Sequence, residues 1–361
     1  MRRRLRLGMN SVLRRCVRPF IGTEEAGTSG VERILVCRLN RRLGNVLFLT
    51  PLLNALEAKF PRAKVDVLLG DASLAPLLGN RPNVGEVFGL EKWNYRKMGQ
   101  LVGLLRRLRR AHYDLTIDPS VNSFSGRVAC ALVHAKARAG FEFPGQWLPL
   151  DHPVPLSKEH LHSARVPLAI VAGLGTYPNA VFEARLDLRL SAQEREEGAR
   201  ELASQLSAQN AWRSGERIIG FFTGARDAKA IPESWWTGWI AAMRERAPDV
   251  RLVQLVPPGA GANFPGIPSI VCADYRLLGA MLANLSLFVS ADTGPMHLAS
   301  AARVPTVGLF NVTNPASYGP IGADDEAIVV TGVEPEQVAE RALRRLALVL
   351  GRSDARIPAD V

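Results

Sequence analysis

The sequence predicts an α/β protein with two Rossmann-like parallel-sheet domains, and three observations carry that prediction. Short apolar runs rich in Val, Ile and Leu alternate with stretches of helical periodicity, the pattern of βαβ units around a sheet covered on both faces. The alternation weakens once, between about 142 and 190, where "FPGQWLPLDHPVPL" is rich in Pro and Gly. A chain of 361 residues with 47% hydrophobic content can fill two cores.

Residues 1–30 stand apart from the two domains. "MRRRLRLGMNSVLRRCVRPF" places Leu5, Met9, Val12, Leu13, Cys16, Val17 and Phe20 on one helical stripe and most of its arginines elsewhere. That pattern suits an anionic membrane surface, and equally a basic tail or a core-facing helix. It lacks the apolar core and cleavage site of a secretory signal. "EEAGTSG" then reads as a linker.

The first domain, 31–185, follows as "RILVCRL", a single helical run "VLFLTPLLNALEAKF", then "KVDVLLG", "GEVFGL", "MGQLVGLLRRLRRAH", "YDLTIDP" and "GRVACALVHA". "SARVPLAIVAGLG" reads as one helix leading out of it. The second domain, 186–335, runs through "RIIGFFTG", "ESWWTGWIAAMRERA", "VRLVQLVPPG", "SIVCAD", "RLLGAMLANL", "LSLFVSAD", "PMHLASAAR", "TVGLF" and "AIVVTG". A closing helix and tail occupy 336–361. Two such halves imply a cleft, and open parallel sheets bind ligands beyond the carboxyl ends of their strands.

The net charge of +11 points to an anionic surface or substrate without choosing between nucleic acid, acidic lipid and phosphorylated sugar. Cys16, Cys37, Cys130 and Cys272 form no CxxC pair, so neither zinc nor a disulfide framework is expected and a reducing cytoplasm is the simplest setting. No run approaches the roughly 20 apolar residues of a membrane-spanning helix.

"LFVSADTGPMHLASAARVPTVGLF", 287–310, carries the most chemistry. A strand, a turn and a helix opening near Pro295 put unpaired N–H groups and the positive end of a helix dipole at a strand's carboxyl end, where a diphosphate fits. Thr293 offers a hydroxyl donor, Gly294 allows close approach, and His297 lies one turn in. Asp292 either caps the helix or holds a ribose or sugar hydroxyl. The bland alternative makes Asp292 and Thr293 mere caps and His297 an ordinary half-buried histidine. "FFTGARDAKAIPESWW" adds Thr223, Arg226 and Lys229 at a second strand end, with a planar fork and a point charge able to neutralise a leaving diphosphate without metal. In the first half, "RLNRRLGNVLFLTP" ends a strand in a basic loop holding Arg41, Arg42, Gly44 and Asn45, a corner suited to an anion or a reacting hydroxyl.

Taken in order, these stretches resemble the lipopolysaccharide heptosyltransferases, glycosyltransferase family 9, from about Arg33 to Gly351. The motifs are "ILVCRLNRRLGNVLFLTPLLNALEAKFPRAKVDVL", "YDLTIDP", "ARAGF", "HSARVPLAIVAGLG", "RDAKAIPESWW" and "SADTGPMHLASAARVPTVGLFNVTNPASYGP". The resemblance implies the GT-B architecture, two such domains facing across a cleft. It implies heptose transfer with inversion, from an ADP-activated donor to the lipopolysaccharide inner core, with no required metal or other cofactor. Thr293, Gly294 and His297 would hold the diphosphate, with Thr223 beside them. Lys229 and Arg226 would neutralise it, and Asp292 would contact the sugar. The first domain would take the anionic glycolipid acceptor through Arg41, Arg42, Gly44 and Asn45. The expected setting is the cytoplasm, at the inner face of the bacterial inner membrane if the amphipathic pattern of residues 1–20 docks there and in solution if it does not.

Two positions depart from the family's pattern. Its first loop carries Asp after the Gly as general base, and Asn45 stands there, an amide without useful basicity. Asp118, at the end of "YDLTIDP", is then the carboxylate expected to remove the acceptor proton, with an acceptor phosphate as the alternative. Relatives also place a carboxylate toward the ribose near 256–266, where "VPPGAGANFPG" has none. A dehydrogenase would need GxGxxG, which the first loop lacks. Nucleic acid is not expected as a partner, since only "KWNYRK", 92–97, offers an aromatic-basic platform. The alternatives are a catalytically weak or inactive relative that binds nucleotide sugar or glycolipid, which Asn45 supports, and a transferase of a different sugar.

Overall fold

The computed structural model describes residues 30–90, 98–121, 123–143, 148, 150–155, 162–175, 185–211, 213 and 215–354. The chain divides into two compact units, Met1–Ala184 and Arg185–Val361. The amphipathic stretch at 1–20 and "KWNYRK" lie outside the described residues.

In the first unit β1 (Arg33–Arg38) leads into two short helices, α1 (Leu43–Leu47) and α2 (Thr50–Lys59), where the sequence predicts one. Pro51 has no N–H to give to the carbonyl of Leu47, and the Thr50 hydroxyl donates to it instead, at 2.8 Å. The chain continues through β2 (Lys64–Leu69), a 3-10 helix (Ala72–Leu78), β3 (Val84–Gly89), α3 (Met98–Arg110), β4 (Tyr113–Asp118), α4 (Phe124–Leu132), β5 (Ala135–Phe141) and β6 (His152–Val154). The helix predicted over "SARVPLAIVAGLG" shrinks to α5 (Leu168–Gly173). Pro167 stands at its N-cap, because proline is tolerated at a helix start and not inside it.

The second unit opens with α6 (Ala192–Ser207), started by a reciprocal capping box between Ser191 and Glu194. Then come β7 (Arg217–Phe222), a 3-10 turn (Asp227–Lys229), α7 (Glu233–Arg246), β8 (Val250–Leu255) and β9 (Ser269–Ile270). They are followed by α8 (Tyr275–Leu282), β10 (Leu287–Ala291), α9 (Gly294–Ala301), β11 (Thr306–Phe310), α10 (Pro315–Tyr318), β12 (Glu326–Val329) and α11 (Pro335–Asp354).

All strand pairs are parallel. The sheets run β3-β2-β1-β4-β5-β6 and β9-β8-β7-β10-β11-β12, the same order in each unit. In both, the chain builds outward from the first strand, returns to that strand's other side, and builds outward again. The connections after β1 and β4, and after β7 and β10, therefore leave in opposite directions and open a crevice at the carboxyl ends.

Each crevice stands on a packed floor. Ile34, Leu35, Val36 and Cys37 of β1 are fully buried, as a central parallel strand covered on both faces requires. In the second unit Trp236 and Trp239, three apart and so on one face of α7, are fully buried against Phe221 of β7. Their ring centroids lie 6.0 and 5.5 Å from that of Phe221. Trp235 ties α7 to the turn before α11 by donating to the Val333 carbonyl.

Candidate functional site

The crevice between β7 and β10 gathers residues remote in sequence. β10 delivers Asp292, which is buried, and the 3-10 turn after β7 delivers Lys229. Asp227 in that turn has φ 55°, a left-handed conformation Asp tolerates better than most residues, and it bends the chain sharply ahead of Lys229. Lys229 Nζ lies 2.5 Å from Asp292 Oδ2. The Thr313 hydroxyl, from the loop after β11, donates to the same oxygen at 2.5 Å. Asn311 braces the turn by donating to the carbonyls of Ala228 and Ala230.

α9 begins immediately beyond Asp292. Gly294 is its first residue, Pro295 follows, and Thr293 is the N-cap with extended backbone. No side chain caps this helix. Two sequence readings change here. Asp292 is not a cap, because its carboxylate accepts from Lys229 and Thr313. The Thr293 hydroxyl donates to the Ala291 carbonyl at 3.1 Å, so it is not pointed outward as a donor. Thr293, Gly294 and Pro295 are half-buried, which leaves the first turn accessible with its backbone N–H groups and dipole. His297 lies in that turn and is only 5% exposed. Thr223 is half-buried just past β7, and Arg226 is exposed at the entry to the 3-10 turn.

The crevice between β1 and β4 holds Asn45, half-buried on α1. Its amide oxygen accepts from Arg38 Nη2 at 2.9 Å, and Arg38 Nη1 donates to the Ser120 hydroxyl at 2.8 Å. Gly44 precedes Asn45 in α1. Arg41 donates to the Leu90 carbonyl at 3.2 Å, which ties it to the end of β3, while Arg42 is exposed. Gly70 lets β2 pass under this loop, since a Cβ there would stand 2.2 Å from the Leu39 carbonyl oxygen.

Asp118 does not reach this surface. Its side chain is 0% exposed, Oδ2 is 3.5 Å from Arg127 Nε, and Oδ1 accepts from the Ser120 backbone at 3.1 Å. Burial pushes its pKa up to about 6 against the pull of Arg127, the Ser120 amide and Arg38. A base must touch the proton it removes, and in this conformation an acceptor hydroxyl has no path to the carboxylate.

Arg38, Ser120, Asn311 and Thr313 belong to these corners and were not singled out in the sequence. Thr313 sits inside "FNVTNPASYGP", so the segment was visible even though its partner was not.

The sequence model of glycosyltransferase family 9 (heptosyltransferase) matches residues 101–346, more than half of the chain. The protein belongs to glycosyltransferase family 9. Lipopolysaccharide heptosyltransferase 3 of Escherichia coli is 22% identical over 296 residues, covering 77% of this chain and 83% of that one. Among solved structures, the glycosyl transferase family 9 protein of Veillonella parvula superposes with a TM-score of 0.72 at 20% identity, over 90% of this chain and 99% of that one. The E. coli ADP-heptose lipopolysaccharide heptosyltransferase II gives 0.68 at 21%, over 88% and 99%. The two parallel-sheet units are those of the GT-B fold, and this family 9 member is a glycosyltransferase of the heptosyltransferase type.

Proposed function

We propose that this family 9 glycosyltransferase moves a sugar, heptose by its kinship, from a nucleotide diphosphate to a lipopolysaccharide core or related glycolipid, with inversion and without a required metal. The observation that carries the reading is the Lys229–Asp292 pair beside the uncapped start of α9. A departing pyrophosphate would meet N–H groups already aimed at it and an ammonium held in place by a carboxylate. Preorganised charge of this kind supplies most of the help a phosphoryl leaving group needs. Arg226 adds an exposed cation at the rim, and Gly294 the room for the phosphate. His297, closed in by its neighbours, shapes the first turn. Asp292 keeps Lys229 in register and offers its second oxygen to a sugar hydroxyl.

The nucleotide is taken as adenosine diphosphate because heptosyltransferase II is described as an ADP-heptose enzyme. The acceptor is assigned to the first unit, through Arg42, Gly44 and Asn45 with Arg41 holding the loop. α3 adds Arg106, Arg109 and Arg110 on the same unit, while its Arg107 is paired with Glu86 of β3. An acceptor bearing phosphates or acidic sugars matches that charge. Among the described residues no helix is long and apolar enough to cross a membrane. We assign peripheral association at the inner face of the inner membrane to residues 1–20, and deleting them should lower binding to anionic vesicles.

Asn45 favours a second reading, a family member that binds donor and acceptor but turns over slowly. One experiment separates the two. The protein is incubated with ADP-heptose, or with UDP- or GDP-sugars, and a core-truncated lipopolysaccharide, and the acceptor is weighed by mass spectrometry. A gain of one heptose with ADP-heptose supports the proposal, and a gain only with UDP- or GDP-sugars overturns the nucleotide assignment. Tight binding of both partners with no mass gain supports the second reading.

A further inference from the structure

We infer that Arg38 is a positioning residue that fixes Asn45 as a hydrogen-bond donor, so that the first unit's corner binds an anionic oxygen of the acceptor instead of deprotonating a hydroxyl. The inference rests on the assignment of the acceptor to this corner.

A guanidinium has five donors and no acceptor. The Asn45 atom 2.9 Å from Arg38 Nη2 must therefore be the carbonyl oxygen, because a flipped amide would set N–H against N–H. Nδ2 then lies on the far side of the amide, and it donates to no described residue. Asn45 is half-buried and Arg42, three positions back, is exposed, so the amide's two N–H bonds are offered at a basic rim.

Arg38 cannot easily turn away. Its other terminal nitrogen donates to Ser120, whose backbone N–H is held by Asp118, and Asp118 is in turn held by Arg127. The Nε of Arg38 is buried with no partner among the described residues, and the residue is half-buried, so part of the guanidinium has been withdrawn from water for these contacts. A half-buried cation behind the amide oxygen also polarises the amide and strengthens its N–H groups as donors. The chain Arg127–Asp118–Ser120–Arg38–Asn45 thus gives the buried carboxylate a role that needs no contact with substrate.

The test is proton–nitrogen NMR of the full chain labelled with 15N only in asparagine. Asn45→Asp identifies the Asn45 side-chain pair by its loss. Inorganic phosphate, acetate and sodium chloride are titrated separately. The expected result is a saturable shift of the Asn45 pair with phosphate, with acetate, or with both, and none with chloride. In Arg38→Met the pair persists and the apparent affinity falls at least about tenfold, as for loss of a partner to a charged group. Ser120→Ala, which removes only the anchor, shifts the same affinity in the same direction and serves if Arg38→Met does not fold. Arg38→Lys rescues poorly, because a point charge cannot bridge Ser120 and Asn45 together.

An Asn45 pair that ignores phosphate and acetate, or that binds them with wild-type affinity in the Arg38 and Ser120 variants, overturns the inference. So does a large gain in transfer rate in Asn45→Asp with no loss of acceptor affinity, since that is the behaviour of a restored base. Failure to transfer sugar to any core acceptor, with the Asn45 shifts intact, would sink the proposed function and leave this inference standing.

Discussion

Lys229 donates to Asp292 across 63 positions of sequence, Nζ to Oδ2 at 2.5 Å, and so joins the loop after β7 to the turn before α9. Asp292 is 6% exposed as a side chain and Lys229 38%, so the lysine is the more exposed member of the pair.

The pair predicts a stability effect separable from function. Lys229→Met leaves a buried carboxylate whose remaining side-chain partner among the described residues is the Thr313 hydroxyl, and Tm should fall. The loss should be smaller than the roughly 3 to 5 kcal/mol typical of fully buried pairs, because Lys229 is partly solvated. Adding Asp292→Asn removes the uncompensated charge and should recover much of the Tm. Thermal melts of wild type and the single and double variants check this, and a double variant less stable than Lys229→Met contradicts it.

Thr313→Val tests the residue that the sequence reading missed. Removing its hydroxyl takes one hydrogen bond from Asp292, a loss of about 1 kcal/mol. Lys229 is then held less firmly, so the KM for donor should rise severalfold while acceptor KM stays put. Steady-state kinetics with each substrate varied decides it, and a change confined to the acceptor would refute the placement.

Asp118 predicts a pH dependence of stability. Its folded pKa is raised, to about 6, so the native state binds the proton more tightly than the unfolded chain. The stability from this group is complete below the unfolded value, 3.8, and is lost as pH rises through about 6. Asp118→Asn cannot lose that proton. The Tm difference between variant and wild type should therefore move in the variant's favour from pH 5 to pH 7. Asp325, also raised to about 6 by burial, contributes a similar slope to both proteins and cancels in the difference. A difference independent of pH would contradict the burial argument.

Gly126→Ala tests the same pocket sterically. Its Cβ would stand 2.8 Å from both Asp118 Oδ1 and Ser123 Oγ. Overpacking of this kind costs about 1 to 3 kcal/mol, and a denaturant melt unchanged from wild type would show that the pocket is looser than described.

The strands were legible because a parallel sheet covered on both faces writes itself as unbroken apolar runs, as in "ILVC" and "LFVSA". The start of α9 was legible from Thr293, Gly294 and Pro295 in succession. α6 is passed over in the alternation, although Ser191 and Glu194 carry the spacing of a capping box. The contacts within the corners were less legible. In "RLNRRLGN" the loop arginines Arg41 and Arg42 attract attention, yet the last residue of β1, Arg38, faces Asn45, because the position of a residue at the strand's end relative to β4 depends on sheet order. Asp118 looked like a free carboxylate in "YDLTIDP", and its partner Arg127 lies nine residues on, brought back by α4. The link from Asp292 to Lys229 and Thr313 required β7, β10 and β11 to be neighbours, which no local pattern states.

The central claim is that the β7/β10 corner holds the diphosphate of the donor through Lys229. Calorimetric titration of ADP and AMP into wild type and Lys229→Met tests it most directly. The account predicts that the variant loses at least about tenfold in affinity for ADP, as for loss of a charge-assisted contact, and little for AMP, which lacks the second phosphate. Equal affinities of the two proteins for ADP, with the variant folded, would contradict it.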